Sequence, residues 1–372
     1  MQLRLQLQRN IKLIIMKILS LLILLTLLLF GFSCKKKKTN EEEAVNFKKG
    51  EMLVHTANKI VLPGLLNLKN SVNELNSSWN QFKTNQDDVS LLEVQSKWES
   101  AVLKFHRVKI YEFGPSATVG LRAALGTFPT DTAKIISNST SSGTNLALST
   151  NVDAIGFPAL EFIFFRNNAK NQLIGNAQMQ TYVDDILAKM SGEVNSVYSS
   201  WNIGYAASFG TSTGTESTSG FSFLINEFNK EYELAKNAKL GIPIGKQSLG
   251  IAQIEYVESP YAKISLKILK ENVLALRDLF RGKGNNGVEN LGFDDYLNAL
   301  EKSTIVTNIN NGFDGIIADL NNLNDDLIIE IQNSPAQLDA LYTKMQNLVV
   351  HIKTDMTSAF GVLITYQDND GD

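Results

Sequence analysis

Apolar residues recur along this chain at the spacing of an α-helix, and that period narrows the fold more than any other feature. Val94, Trp98, Ala101, Val102, Phe105 and Val108 fall at i, i+4, i+7, i+8, i+11 and i+14. Leu266, Leu269, Val273, Leu276 and Phe280 alternate steps of three and four, as do Leu338, Leu341, Met345, Leu348 and Ile352. A further amphipathic run passes through Phe313, Ile316, Leu320, Leu323, Leu327 and Ile331. At 3.6 residues per turn each set lies on one side of its helix. A helix with one apolar stripe must bury it against another helix, so the pattern predicts an all-α protein built of helical bundles. Strand-like alternation is scarce outside the last few residues. Two stretches rich in Ser, Thr and Gly, Ser137 to Thr150 and Ser208 to Ser222, read as loops. The second divides a first bundle at about 47–207 from a second at about 221–366. No fixed-period repeat is visible, which argues against a solenoid.

The first 33 residues read as an export signal rather than as part of the fold. Arg4, Arg9, Lys12 and Lys17 supply positive charge, and no acidic residue appears before Glu41. The apolar run Ile18 to Phe32 that follows is shorter than the roughly 20 residues a membrane span needs. It ends in Gly31-Phe32-Ser33, whose small residues suit a signal peptidase. Cys34, the only cysteine of the chain, comes next. This arrangement resembles the lipobox of bacterial lipoproteins, although Phe32 is larger than the usual residue there. The resemblance implies an acylated Cys34 that anchors the mature protein in a membrane of the cell envelope, facing the periplasm or the exterior. Residues 34–46, with Lys35 to Lys38 and Glu41 to Glu43, form a charged tether too polar to bury a core.

The body is acidic. Setting aside the eight basic residues Arg4, Arg9, Lys12, Lys17 and Lys35 to Lys38, 27 basic residues face 38 acidic ones, a net charge of −11. That argues against nucleic acid as a partner. A single cysteine permits no internal disulfide, so stability rests on core burial.

Few residues suggest catalysis. His55, His106 and His351 are far apart in sequence, with no His-x-x-x-His or Cys-x-x-Cys, and each reads as an ordinary surface or core histidine. No nucleophile elbow and no phosphate-binding Gly-rich loop appears. The informative segments are helix breaks that place Gly or Pro beside a carboxylate. Tyr111-Glu112-Phe113-Gly114-Pro115 ends the helix carrying Trp98. Phe128-Pro129-Thr130-Asp131 opens a new element with Thr130 or Asp131 as its cap. Ile155-Gly156-Phe157-Pro158 starts another helix, since proline is tolerated in a first turn. Glu161 then follows amid Phe157, Leu160, Phe162, Ile163, Phe164 and Phe165, where a carboxylate must be solvated, paired or hydrogen-bonded. A helix-start carboxylate favoured by the dipole and a ligand- or metal-binding group are both open readings. Lys239-Leu240-Gly241-Ile242-Pro243-Ile244-Gly245 is a further stop, and Glu258-Ser259-Pro260-Tyr261 precedes a long helix.

These segments, in this order, resemble the imelysin-like family over roughly residues 47–372. The Trp98 helix ending at Gly114-Pro115, the Phe128-Pro129-Thr130-Asp131 segment, Gly241-x-Pro243-x-Gly245, Glu258-Ser259, Ser265-Leu266 and Gly361-Val362 are each similar to its markers. The resemblance implies two helical bundles facing each other. The family signature Gly-x-His-x-x-Glu is matched at Gly156 and Glu161, but Pro158 stands where the histidine belongs. Proline has no ring nitrogen to bind a metal or move a proton.

Relatives of the family are linked to iron uptake, and its name comes from a protease that cuts insulin. The resemblance thus implies a non-catalytic ligand- or metal-binding lipoprotein with Gly156, Pro158, Glu161, Glu112 and Glu258 at its cleft. Iron or another metal ion is the implied cofactor, with Glu161 as a ligand, and iron-uptake components are the implied partners. A metallopeptidase and a lipoprotein with a purely protein-interaction role are the alternatives. The former lacks its histidine, and no set of ligands for an open metal is visible in the sequence. Asp368, Asp370 and Asp372 cannot complete a calcium loop of the EF-hand type, which needs a closing Glu.

Cells fed a fatty-acid analogue should label the wild-type protein and not Cys34→Ala. Label persisting in the variant would remove the basis for a lipid anchor at that cysteine.

Overall fold

The computed structural model describes residues 47–366 apart from Ser142, together with the single residues Gln6 and Met16. Apart from those two residues, the expected export signal at 1–33, the expected acylation site Cys34, the expected tether at 34–46 and Asp368, Asp370 and Asp372 lie outside the described residues. From Phe47 onward the chain forms one compact unit. It is helical throughout, and among the described residues the only β-type pairing is an isolated bridge between Lys283 and Glu289. No described helix is long and apolar enough to cross a membrane.

The main helices of the first half are α1 (Leu62–Asn85), α2 (Asp88–Val108), α3 (Gly156–Phe165) and α4 (Ala177–Ser200). Those of the second half are α5 (Gly220–Lys236), α6 (Ser265–Phe280), α7 (Ser303–Asn321) and α8 (Pro335–Val349). α1 packs on α2 and α4, while α6 packs on α5 and α7 and α8 lies against α7. The two bundles face each other along α2 and α6. One continuous core runs through both, holding every residue of the α2, α6 and α8 stripes.

Local chemistry sets the boundaries. Asp87 caps α2 through its carboxylate and the Ser90 N–H (2.8 Å), and the Ser90 hydroxyl accepts in return from Asp87 N–H. Asn176 caps α4 at Met179 N–H and Ser219 caps α5 at Ser222 N–H. At Phe128-Pro129-Thr130-Asp131 the cap is Asp131, which accepts from Lys134 N–H (2.9 Å). The run from Phe313 to Ile331 is not one helix. It breaks after Asn321 and resumes at Leu327–Asn333, with Asp326 as the new cap. The polar sequence Asn322 to Asp326 supplies no apolar step to continue the stripe, apart from half-buried Leu323.

Pro63 shows how a break can join the halves. The helical rod before α1 passes through a π turn at Thr56–Val61. Proline has no N–H for the carbonyl four residues back, so the Lys59 carbonyl is left without its helical donor. Asn285 N–H from the second half donates to it (3.0 Å), and the Asn285 side chain donates to the Ile60 carbonyl (2.8 Å).

Trp98 anchors α2 to α3: it is fully buried, its indole N–H donates to the Phe157 carbonyl (3.0 Å), and its ring meets Phe157 and Phe165 edge-on. Trp98→Ala should therefore cost about 3–5 kcal/mol in denaturant unfolding, as large aromatic truncations in packed cores do. A loss below about 1 kcal/mol would contradict this packing.

Candidate functional site

The family-motif segment is built around backbone constraints. Gly156 has φ +73°, and a Cβ there would sit 2.6 Å from the Leu125 carbonyl oxygen, so only glycine fits. Pro158 follows in the first turn, where helical N–H groups lack intrahelical acceptors anyway. Glu161, 2% exposed, then reaches across to the second half. Its Oε1 accepts the N–H groups of Tyr261 and Ala262, both at 2.8 Å. Those amides belong to a tight turn in which Ser259 (φ 56°) and Lys263 (φ 60°) both take left-handed conformations. Such backbone persists only where its surroundings hold it. Burial pushes the Glu161 carboxyl up to about 7, with the two amides and the Ser259 hydroxyl opposing the shift and Glu258 adding to it.

Glu258, also buried, pairs directly with the Lys239 ammonium and lies 3.5 Å from His106 Nε2. Burial pulls Lys239 down to about 8, and Lys109 pulls it further while Glu258 opposes. The Phe128 ring lies 5.2 Å from the same ammonium. His106 is held well below its ordinary range by burial and by Lys239 and Lys109, so it is neutral at pH 7. Its approach to Glu258 is therefore a polar contact rather than an ion pair.

A second group of charges adjoins the first. Lys109 pairs with Glu231 (3.2 Å), whose Oε1 also accepts from Asn272 Nδ2 (3.1 Å). Arg122 donates to Glu227 (2.6 Å) and to the Lys109 carbonyl, and its Nε stands 3.4 Å from Glu231 Oε2. The Arg122 backbone N–H donates to Glu112 (3.0 Å), whose carboxyl burial pushes up to about 7 against the pull of Arg122. Two buried atoms here, His106 Nδ1 and Asn272 Oδ1, have no hydrogen-bond partner, and Arg122 Nε and Glu231 Oε2 meet only each other, as an ion pair too long for a good hydrogen bond.

The structure thus brings Gly156, Pro158, Glu161 and Glu258 together, all buried, while Glu112 is half-buried on the far side of Arg122 and Glu231. Glu161 Oε1 is already occupied by two amides, and Glu258 is engaged by Lys239. Among the described residues no group of three or more His, Cys, Asp or Glu side chains is placed to hold a metal ion. Chemically the cluster is a set of proton-exchanging groups, with carboxyls near 7 beside an ammonium near 8. Sequence reasoning did not single out Lys109, Arg122, Glu231, Lys239 and Asn272. The available signal was charge on a core face: in α5, Glu231 stands between the buried residues Phe228 and Tyr232.

Glu161→Ala leaves the part-buried N–H groups of Tyr261 and Ala262 without their acceptor and should cost about 1–3 kcal/mol. Glu161→Gln keeps one oxygen for them and should cost less. The pair also fixes a pH dependence. The folded values near 7 for Glu161 and Glu112 exceed the ordinary 4.5, so between those limits the folded state holds protons that the unfolded chain releases. Stability is highest below that window and falls as pH rises through it. Lys239 acts elsewhere, its window lying between 8 and 10.5. Urea midpoints measured from pH 5 to pH 7 should decline less steeply in Glu161→Gln than in wild type, with the remaining slope supplied by Glu112 and by Asp294, which burial and the Asp295 charge push up to about 6. Parallel slopes would show that Glu161 does not titrate there.

The model of the Imelysin family (Peptidase_M75) matches residues 61–354. No curated protein matches the chain. Among solved structures, an imelysin-like protein from Psychrobacter arcticum 273-4 is similar with a TM-score of 0.71 at 16% identity, covering 86% of this chain and 97% of that one. A protein from Parabacteroides distasonis ATCC 8503, described as a "putative iron-regulated protein A precursor", is similar with a TM-score of 0.71 at 15% identity, covering 84% and 95%. At such identities the two structures speak for the fold alone, which is the one described above. With the family model spanning most of its length, this chain belongs to the imelysin family.

Proposed function

We propose that this protein is a non-hydrolytic, lipid-anchored member of the imelysin family that binds its ligand at the charged seam between the two bundles, in the service of iron acquisition. The observation that carries the reading is the pair of buried polar atoms without a hydrogen-bond partner at the seam, His106 Nδ1 and Asn272 Oδ1, beside the buried ion pair of Arg122 Nε and Glu231 Oε2. Buried polar atoms without partners are expensive, by about 1–3 kcal/mol each, and water or a ligand with its own donors and acceptors would satisfy them. Pro158 in place of the motif histidine speaks against metal-assisted hydrolysis, as no nitrogen ligand stands at that position. The link to iron is supported by the description of the Parabacteroides relative as iron-regulated. The anchor at Cys34 would hold the seam in the cell envelope, near iron-uptake components.

Two assays on wild type, Glu161→Gln and Glu231→Gln test this. One measures binding of ferric citrate and of haem; the other measures cleavage of insulin chains. Binding weakened at least tenfold by either substitution, with no cleavage in any sample, is the expected result. Cleavage by wild type that a chelator and Glu161→Gln both abolish would replace this reading with a peptidase.

A further inference from the structure

Five arginines lie among the described residues, and four of them pair with carboxylates: Arg107 with Glu271 and Asp278, Arg122 with Glu227, and Arg277 and Arg281 with Asp314. Arg166 has no carboxylate partner. Its guanidinium stacks over the Phe162 ring at 4.7 Å, and its Nε is buried with no hydrogen-bond partner. Burial pulls this group below its ordinary value, and only the Tyr261 phenol, no carboxylate, opposes that pull. In a body of strongly acidic balance, a half-buried arginine left unpaired is conspicuous.

Arg166 lines a groove of about 660 Å³ between the helix Thr132–Thr140 and the start of α4. No other charged residue lines it. The exposed amide side chains Asn171, Gln172 and Gln178 contribute donors and acceptors, and Ile136 (47% exposed) and Ile174 (37% exposed) contribute apolar edges. The first residues of α4, Ala177 and Gln178, also face it, in the turn whose N–H groups have no intrahelical acceptor.

We propose that this groove binds a carboxylated sugar of the uronic-acid class, with Arg166 as the carboxylate anchor. A guanidinium matches a carboxylate through two parallel hydrogen bonds. Side-chain amides, donors and acceptors at once, match a run of hydroxyls. The two isoleucines suit the C–H face of a sugar ring, and the volume falls within the usual range for small-molecule sites. One cation matches one negative charge; a phosphate dianion calls for a second, and none lines the groove. Although the Phe162 ring beneath the guanidinium also meets Tyr261 of the seam turn, none of the seam residues lines the groove, so the proposal does not depend on the seam reading.

Calorimetric titration of the full-length protein with galacturonate, trigalacturonate, galactose, acetate and inorganic phosphate tests it. Galacturonate should bind at least tenfold more tightly than galactose, acetate or phosphate. A free monosaccharide ligand predicts equal affinity for the trimer, whereas a glycan ligand predicts tighter binding of the trimer. Arg166→Gln should weaken galacturonate roughly ten- to hundredfold, the scale of one charged hydrogen-bonding contact, with Arg166→Lys between it and wild type. Gln178→Ala, on the rim, tests the amide contribution without touching the core and should weaken binding severalfold. No binding of either uronate at millimolar concentration would overturn the proposal. So would equal affinity for phosphate or acetate, or affinity unchanged by Arg166→Gln.

Discussion

The carboxylate of Glu161 is the contact on which the arrangement of the seam depends. It is a side chain of the first bundle accepting two backbone amides of the second, and it fixes a turn whose flanking residues are in left-handed conformations. That turn carries Glu258, which in turn meets Lys239 and His106. Moving the turn would uncouple all of them. A buried carboxylate is costly unless its oxygens are satisfied, and here the backbone satisfies one of them directly. The motif glutamate of this chain thus has a structural task that needs neither a histidine neighbour nor a metal.

Around that contact the protein buries charge in the middle of its core. Lys109, Lys239, Arg122, Glu231 and Glu258 are held with little or no water contact, each against an opposite charge. Replacing such groups with apolar side chains often leaves a protein equally or more stable, so stability alone does not account for them. Removing one partner is the harmful change, because the other is left buried and uncompensated. The seam is consequently sensitive to anything that adds or removes a charge, a proton included, and its two raised carboxyls and lowered ammonium lie close to neutral pH.

Backbone groups find distant partners where helices are interrupted, both between the bundles and within the second one. The Lys59 carbonyl freed by Pro63 takes its donor from Asn285. Ser265, at the start of α6, accepts the Leu327 N–H (2.8 Å), while Leu266 N–H donates to the Asp325 carbonyl. Gly245, at φ +86°, lets its loop close where a Cβ would meet the Ile251 carbonyl at 2.6 Å. Ser265 and Gly245, two of the family markers, thus stand where the chain leaves one element and closes on another.

The sequence by itself determined the helical class, the stripes and most boundaries, because a 3.6-residue period and a capping side chain act over a few residues. Trp98, Phe105, Leu269 and Leu341 are buried where the period puts them. It also marked Gly156 and Glu161, because a glycine before a proline and a carboxylate among phenylalanines conflict with their surroundings. What the Glu161 carboxylate holds was decided only by the tertiary structure, since its amide donors are about a hundred residues away at Tyr261 and Ala262. The same holds for Lys109, Arg122, Lys239 and Glu231: on a linear chain each is an ordinary charged residue on a helix or at its end. Only the packing of one bundle on the other removes water from them and turns their charges toward one another. Burial and pairing of charge are properties of distance in space, and a local pattern carries no record of them.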